Sequence, residues 1–182
     1  MDYPYENSQN AAPAIPTMAE HRKVGVSCQK GDIQTVTKRL QSELMSLMMS
    51  PTPGMSAFPD SDGNMLHWTA TLEGPRDTAY ENLTFKLRFE FPTNYPYSAP
   101  DVTFKTPVYH PNIDFSGRIC LDILKENWSA VYNVQTVLLS LQGLLEEPNN
   151  KSPLNSEAAT LHQTDLEEFK RKVLARHQDL KD

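Results

Sequence analysis

Apolar residues recur along this chain with two different periods, and the switches between them mark out its elements. Ile33, Val36, Leu40, Leu44 and Leu47 step by three and four, which predicts a helix with one buried face and Asp32 as its N-cap. Thr37, Lys38, Arg39, Gln41 and Glu43 fall on the side expected to meet solvent, and SPTPG at 50–54 removes donors and stops the helix. The period then drops to two. Leu66, Trp68, Ala70 and Leu72 line one face of a strand, and Leu83, Phe85, Leu87, Phe89 and Phe91 alternate with Thr84, Lys86, Arg88 and Glu90 in the next. DVTFK at 101–105 and MSAFPD near 55–60 supply two more short strands. Turns as short as GPRDT make an antiparallel meander of about four strands the economical arrangement.

One face of that sheet needs a cover. The first helix is one candidate. The other starts at Asn133, where Val134, Val137, Leu138, Leu141, Leu144 and Leu145 restore the helical period before Pro148 ends it. A further helix is predicted over roughly 155–163, and another from Thr164, whose Thr164-x-x-Glu167 spacing reads as a capping box ahead of Leu166, Phe169, Val173 and Leu174. The fold class is therefore α+β, with an N-terminal helix, a four-stranded antiparallel sheet and three later helices in one folded unit over 32–178. Residues 1–31 are polar, with scattered aliphatics and no sustained period, so they are expected to be disordered; 179–182 form a short tail.

Composition narrows the functional classes. A net charge of −6 with no cluster of Lys and Arg argues against nucleic-acid binding, which relies on displacing counterions from phosphates. The densest apolar run, VLLSLQGLL at 137–145, falls well short of the ~18 residues of a membrane span, so no membrane is expected. The N-terminus has acids before any base and no continuous apolar stretch, which favours the cytoplasm or nucleus over secretion. In such a reducing compartment Cys28 and Cys120 are expected to be free thiols.

Residues 106–132 are the anomaly, a long stretch with little regular pattern, and compact domains seldom carry such a loop without a use for it. It contains HPNIDFSGRICLDIL at 110–124, where prolines stiffen the backbone and Gly117 permits a turn before Cys120. Cys120, between Ile119 and Leu121, can be read as a small buried hydrophobe. Zinc is a poor fit without CxxC or HxxxH companions. A Cys/His hydrolase needs a thiolate of depressed pKa, whereas Asp114 and Asp122 are the charges nearest in sequence. Exchange with an activated thioester needs less: a positioned thiol of ordinary pKa, then an oxyanion stabiliser and help in deprotonating an attacking amine. Asn112 supplies an uncharged donor and lies eight residues before Cys120, a separation that a folded-back loop closes.

The run PTNYPYSAPDVTFKTPVYHPNIDFSGRICLDILKENWSA resembles the catalytic core of ubiquitin-conjugating enzymes: a YPxxxP segment, HPN, a cysteine after seven intervening residues, and a tryptophan eight residues beyond it. The similarity extends over roughly 33–177, through LLSLQGLLEEPN and SPLN. Within the family, TKRLQSELMSLMMS followed by GMSAFPDSD is most similar to the cyclin-selective branch, which works with the anaphase-promoting complex in the cell cycle and mitosis. The resemblance implies the UBC fold and a transferase in which Cys120 carries ubiquitin as a thioester. It implies that Asn112 stabilises the oxyanion or orders the loop, and that His110 is structural.

Asp122, Asn149 and Ser152 match positions at the gate of the family's site. Many members have aspartate in place of Ser152, which cannot act as a base; the substrate or ligase, Asp122, or a phosphate on Ser152 would have to help the lysine lose its proton. Lys38 and Arg39 on the first helix match surfaces that meet the activating enzyme and ligase, and Tyr97, Ser129 and Ala130 match ligase-contacting loops. The implied partners are ubiquitin, the ubiquitin-activating enzyme, a RING-type ligase and protein substrates, with no metal or organic cofactor. Alternatives are an enzyme for a ubiquitin-like modifier and a non-catalytic ubiquitin-binding scaffold. KEN at 125–127 and RKVL at 171–174 resemble degradation signals, although patterns this short recur by chance and both fall in segments expected to be folded. LHQ at 161–163 departs from the branch, which usually has tryptophan where this chain has His162.

Overall fold

The computed structural model describes residues 30–179. The expected disordered extension therefore lies, apart from its last two residues, outside the described residues, as does Cys28. Helix α1 (Lys30–Met49) leads into strands β1 (Met55–Pro59), β2 (His67–Glu73), β3 (Thr84–Glu90) and β4 (Asp101–Phe104), followed by α2 (Val134–Glu146), α3 (Ser156–Thr164) and α4 (Leu166–Gln178). The strands form one antiparallel meander in the order β1-β2-β3-β4, as the period-2 pattern and short turns require. Trp68 lies opposite Phe89 and Leu72 opposite Phe85, so the apolar residues of adjacent strands share one face. Val36 and Leu40 of α1 and the six buried apolar residues of α2 join that face in one core. None of the described helices is long and apolar enough to cross a membrane.

Three local expectations change. The helical backbone of α1 already includes Lys30, Gly31 and Asp32, so Asp32 is not its N-cap. Ile33 is exposed, while Glu43, expected on the solvent side, is buried. Its carboxylate accepts hydrogen bonds from Arg39 Nε at 2.6 Å, the Tyr95 hydroxyl at 2.7 Å and the Val134 amide at 2.9 Å. The last places negative charge at the N-terminus of α2, where the helix has unpaired N–H groups and a positive dipole end. The third change concerns the expected cap of α4. Thr164 belongs to α3, its hydroxyl bonded to the Thr160 carbonyl, and Asp165 caps α4 by accepting from the Glu168 amide at 3.0 Å. Of the apolar residues expected to face inward from α4, Phe169 and Val173 are buried, whereas Leu166 and Leu174 are exposed.

Candidate active site

Between β4 and α2 the chain runs as an ordered irregular loop fixed to the sheet near Gly117. The φ of +86° there suits glycine, and a Cβ would stand 2.1 Å from the Phe104 carbonyl oxygen. That close approach lets the Phe104 amide donate to the Gly117 carbonyl at 2.9 Å, docking the loop on β4. Asp114 closes the turn before it: one oxygen accepts from the Ser116 hydroxyl and the Ser116 and Arg118 amides, and the other from Arg118 Nε. The Ser116 hydroxyl, with Arg118, holds the Asp114 carboxyl down to about 2.

The HPN turn lies behind this loop. His110 is fully buried, and both ring nitrogens are occupied. The Asn112 amide donates to Nδ1 at 2.9 Å, so Nδ1 carries no proton and Nε2–H donates to the Leu144 carbonyl at 2.9 Å. Burial lowers the His110 pKa to about 4. A neutral imidazole with no free nitrogen cannot serve as a base, and its bonds join the turn to α2.

Asn112 is buried too, and its side chain is held by the segment after α2. Nδ2 donates to the Asn149 carbonyl at 2.7 Å and makes a longer contact of 3.5 Å with the Ser152 carbonyl, while Oδ1 accepts from the Asn149 amide at 2.8 Å. The Pro111 carbonyl accepts from the Leu154 and Asn155 amides, and Asn155 caps α3 by accepting from the Ala158 amide. HPN thereby pins residues 149–155 against the loop that carries the cysteine. In this conformation the Asn112 amide orders the loop.

Cys120 sits directly on that scaffold. Its amide donates to the Asn112 carbonyl at 2.8 Å, and its free thiol is half-buried between buried Ile119 and half-buried Leu121. The charge that reaches the sulfur is a cation: Lys125 Nζ lies 3.6 Å from Sγ. The carboxylates nearest in sequence are engaged elsewhere. Asp114 closes its own turn, and Asp122, exposed at the start of a short 3-10 turn, accepts from the Ile123 amide and from Asn127 Nδ2. Asn149 and Ser152 are exposed, with their backbones on the Asn112 side chain. A cleft of about 450 Å³ beside the cysteine loop is lined in part by Asp114, Arg118, Leu124, Lys125 and Leu154.

The residues expected to meet partners gather at one end of the fold. Trp128 Nε1 donates to the Pro96 carbonyl at 2.7 Å, stapling the loop of Ser129 and Ala130 to that of Tyr97. Tyr97 is 81% exposed, Lys38 is exposed, and Ser129 and Ala130 are half-buried. The Arg39 guanidinium, by contrast, is engaged within the chain, donating to Glu43 and to the Ala130 and Tyr132 carbonyls. The KEN and RKVL stretches are folded: Asn127 is held by Asp122, and Val173 is buried within α4. The contacts of Lys125 and Asn150 have no signal in the sequence, because charged and amide residues in polar stretches give no period; only the fold shows what they touch.

The geometry is that of an accessible thiol on a rigid, hydrogen-bonded loop, beside a buried neutral histidine and an asparagine that ties two segments together. Residues 39–177 match the family profile described as ubiquitin-conjugating enzyme. The chain is also similar to the ubiquitin-conjugating enzyme E2-20 kDa of Schizosaccharomyces pombe, with 56% identity over 177 residues that cover 97% of this chain and 93% of the relative. By fold, profile match and extent of identity, this chain belongs to the ubiquitin-conjugating enzymes.

Proposed function

We propose that Cys120 is the residue on which this enzyme carries ubiquitin, and that the finished complex passes ubiquitin to substrate lysines with a RING-type ligase, the anaphase-promoting complex. In the first step the Cys120 sulfur attacks the thioester carbonyl carbon presented by the activating enzyme; a new S–C bond forms and the activating enzyme's thiol leaves with the proton. In the second, a lysine amine attacks that carbonyl, a C–N bond forms, the C–S bond breaks, and Cys120 returns to a thiol as the amine's proton is taken up. The observation that carries the reading is the placement of Cys120, its thiol accessible while its amide is fixed to Asn112.

Asn112 orders the loop in the resting state and is the uncharged donor available to the oxyanion if its amide turns from Ser152, its longer contact. Ser152 supplies no base. Asp122, exposed two residues beyond the cysteine, is the carboxylate that orients the incoming lysine. Lys38, Tyr97, Ser129 and Ala130 form the partner surface. Arg39 shapes that surface from within by gripping the Ala130 carbonyl. The assignment to the cyclin-selective branch and to cell-cycle degradation is supported by the TKRLQSELMSLMMS and GMSAFPDSD resemblance, and the placement in cytoplasm and nucleus by an N-terminus with acids before any base and no continuous apolar stretch.

Reconstitution tests the partner. With ATP, activating enzyme and ubiquitin, conjugation of a cyclin fragment should rise when the anaphase-promoting complex is added and not when an unrelated RING ligase is added. Equal stimulation by both, or by neither, would remove the assignment of the branch while leaving the family intact.

A further inference from the structure

Residues 147–153 form the wall between Asn112 and α3, and they are held from two sides. On one side the Asn149 backbone exchanges hydrogen bonds with the Asn112 side chain. On the other, the next residue reaches a group outside the HPN scaffold: Asn150 Nδ2 lies 3.3 Å from Nδ1 of His162 on α3. With the amide nitrogen facing the ring, Nδ1 is the acceptor, which fixes His162 as neutral with its proton on Nε2. The ring packs edge-on against Phe169 of α4, with centroids 5.2 Å apart, and is half-buried. Asn150 Oδ1 is buried without a hydrogen-bond partner. An unpaired buried acceptor one amide turn from a titratable ring gives the link a second state: a protonated Nδ1–H cannot accept from Nδ2, and can only be met by Oδ1 after the amide turns over.

We propose that His162 is a positioning residue for acyl transfer: neutral, it holds the loop that Asn112 grips at Asn149, and its protonation breaks the bond from Asn150 Nδ2 through which it does so. The groups that face the ring support a simple titration. The HPN turn contributes neutral His110, which feels its charge. From α4 the facing group is Phe169, and Glu168 there is paired with Arg171. On α3 itself Glu157 is paired with Lys172, and the loop contributes the Asn150 amide, with Glu147 and Lys151 exposed. Burial lowers His162 from its ordinary value, so the ring is neutral at neutral pH and the bond from Asn150 Nδ2 is present there, to be lost only as acid protonates Nδ1. It acts through Asn149 and Asn112, without touching the reacting atoms.

The test is single-turnover discharge of ubiquitin from the full chain to free lysine, after charging by the activating enzyme, from pH 5.5 to 8. His162→Phe keeps the ring packing and removes the acceptor; His162→Gln retains an acceptor that does not titrate. At pH 8, His162→Phe should discharge about threefold to tenfold more slowly than the natural protein, the effect of one neutral hydrogen bond, and His162→Gln should recover part of the rate. The ratio of natural to Phe rates should fall from its pH 8 value as acid protonates His162, while the ratio of Gln to Phe rates stays flat. Asn150→Ala breaks the same link from the loop side without disturbing α3, and should slow discharge equally, with no further loss when combined with His162→Phe. Natural rates in both Asn150→Ala and His162→Phe would overturn the proposal, as would a natural-to-Phe ratio independent of pH. If His162→Phe does not fold, the Asn150→Ala rate and its own convergence with the natural protein at low pH decide the matter.

Discussion

The Asn112 side chain and the Asn149 backbone hold each other by a reciprocal pair of hydrogen bonds, Nδ2 to the carbonyl at 2.7 Å and the amide to Oδ1 at 2.8 Å. Both donor and acceptor of one amide are matched in a buried setting, where leaving either unmade is costly. Asn112→Ala should therefore loosen residues 149–152 as well as slow chemistry. The expected result is a fall in lysine discharge of about 10²-fold, with thioester formation retained and amide exchange at 149–152 accelerated. Slow discharge with unchanged exchange would assign Asn112 to the oxyanion alone.

Glu43 is the hub at the other end of the fold. It receives Arg39, Tyr95 and the first amide of α2 in a buried position, and the Tyr95 hydroxyl is pushed up by its burial and by the adjacent carboxylate. Glu43→Ala leaves the Arg39 charge and the Tyr95 hydroxyl without their partner and should destabilise the protein by about 3 kcal/mol, read by urea denaturation. A cost within ~0.5 kcal/mol, typical of surface substitutions, would show that the hub carries little net stability.

His110 makes stability depend on pH in one direction. Its pKa is near 6.5 when unfolded and about 4 when folded, so between those values the unfolded chain binds the extra proton and acid favours unfolding. The stabilisation present above pH 6.5 is lost as pH falls through 4, by roughly 3 kcal/mol in all. His110→Gln does not titrate, so the stability gap between it and the natural protein should narrow by that amount from pH 7 to 4. A gap constant with pH would contradict the buried neutral imidazole.

Tyr97 presents its ring to solvent on a loop stapled to Trp128, at the partner end. An aromatic held on a rigid platform suits an interface anchor, and Tyr97→Ala is expected to weaken ligase binding by about 2 kcal/mol, roughly thirtyfold in Kd by fluorescence anisotropy. An unchanged Kd would move the ligase surface elsewhere.

The strands and the helix from Asn133 were legible because burial of one face imposes a period, and Trp68, Phe85 and Leu138 keep to it. The cap of α4 was not, since Thr164 and Asp165 are both good caps and only the length of α3 decides between them. Glu43 misled for a related reason: helical position puts it with Arg39 on the side expected to meet solvent, but the loops packed over α1 engage Arg39 and bury Glu43. In the site, Cys120, His110 and Asn112 were legible from a motif with fixed spacing. The ties that give them their roles, to Leu144, Asn149 and Lys125, join segments distant in sequence or depend on how one short turn folds.

The central claim is that Cys120 carries the acyl group. Incubated with ATP, activating enzyme and ubiquitin, the protein should give a single-ubiquitin adduct on a non-reducing gel that dithiothreitol removes. Cys120→Ser should give a more stable oxyester and Cys120→Ala no adduct. An adduct that persists in Cys120→Ala would contradict the account.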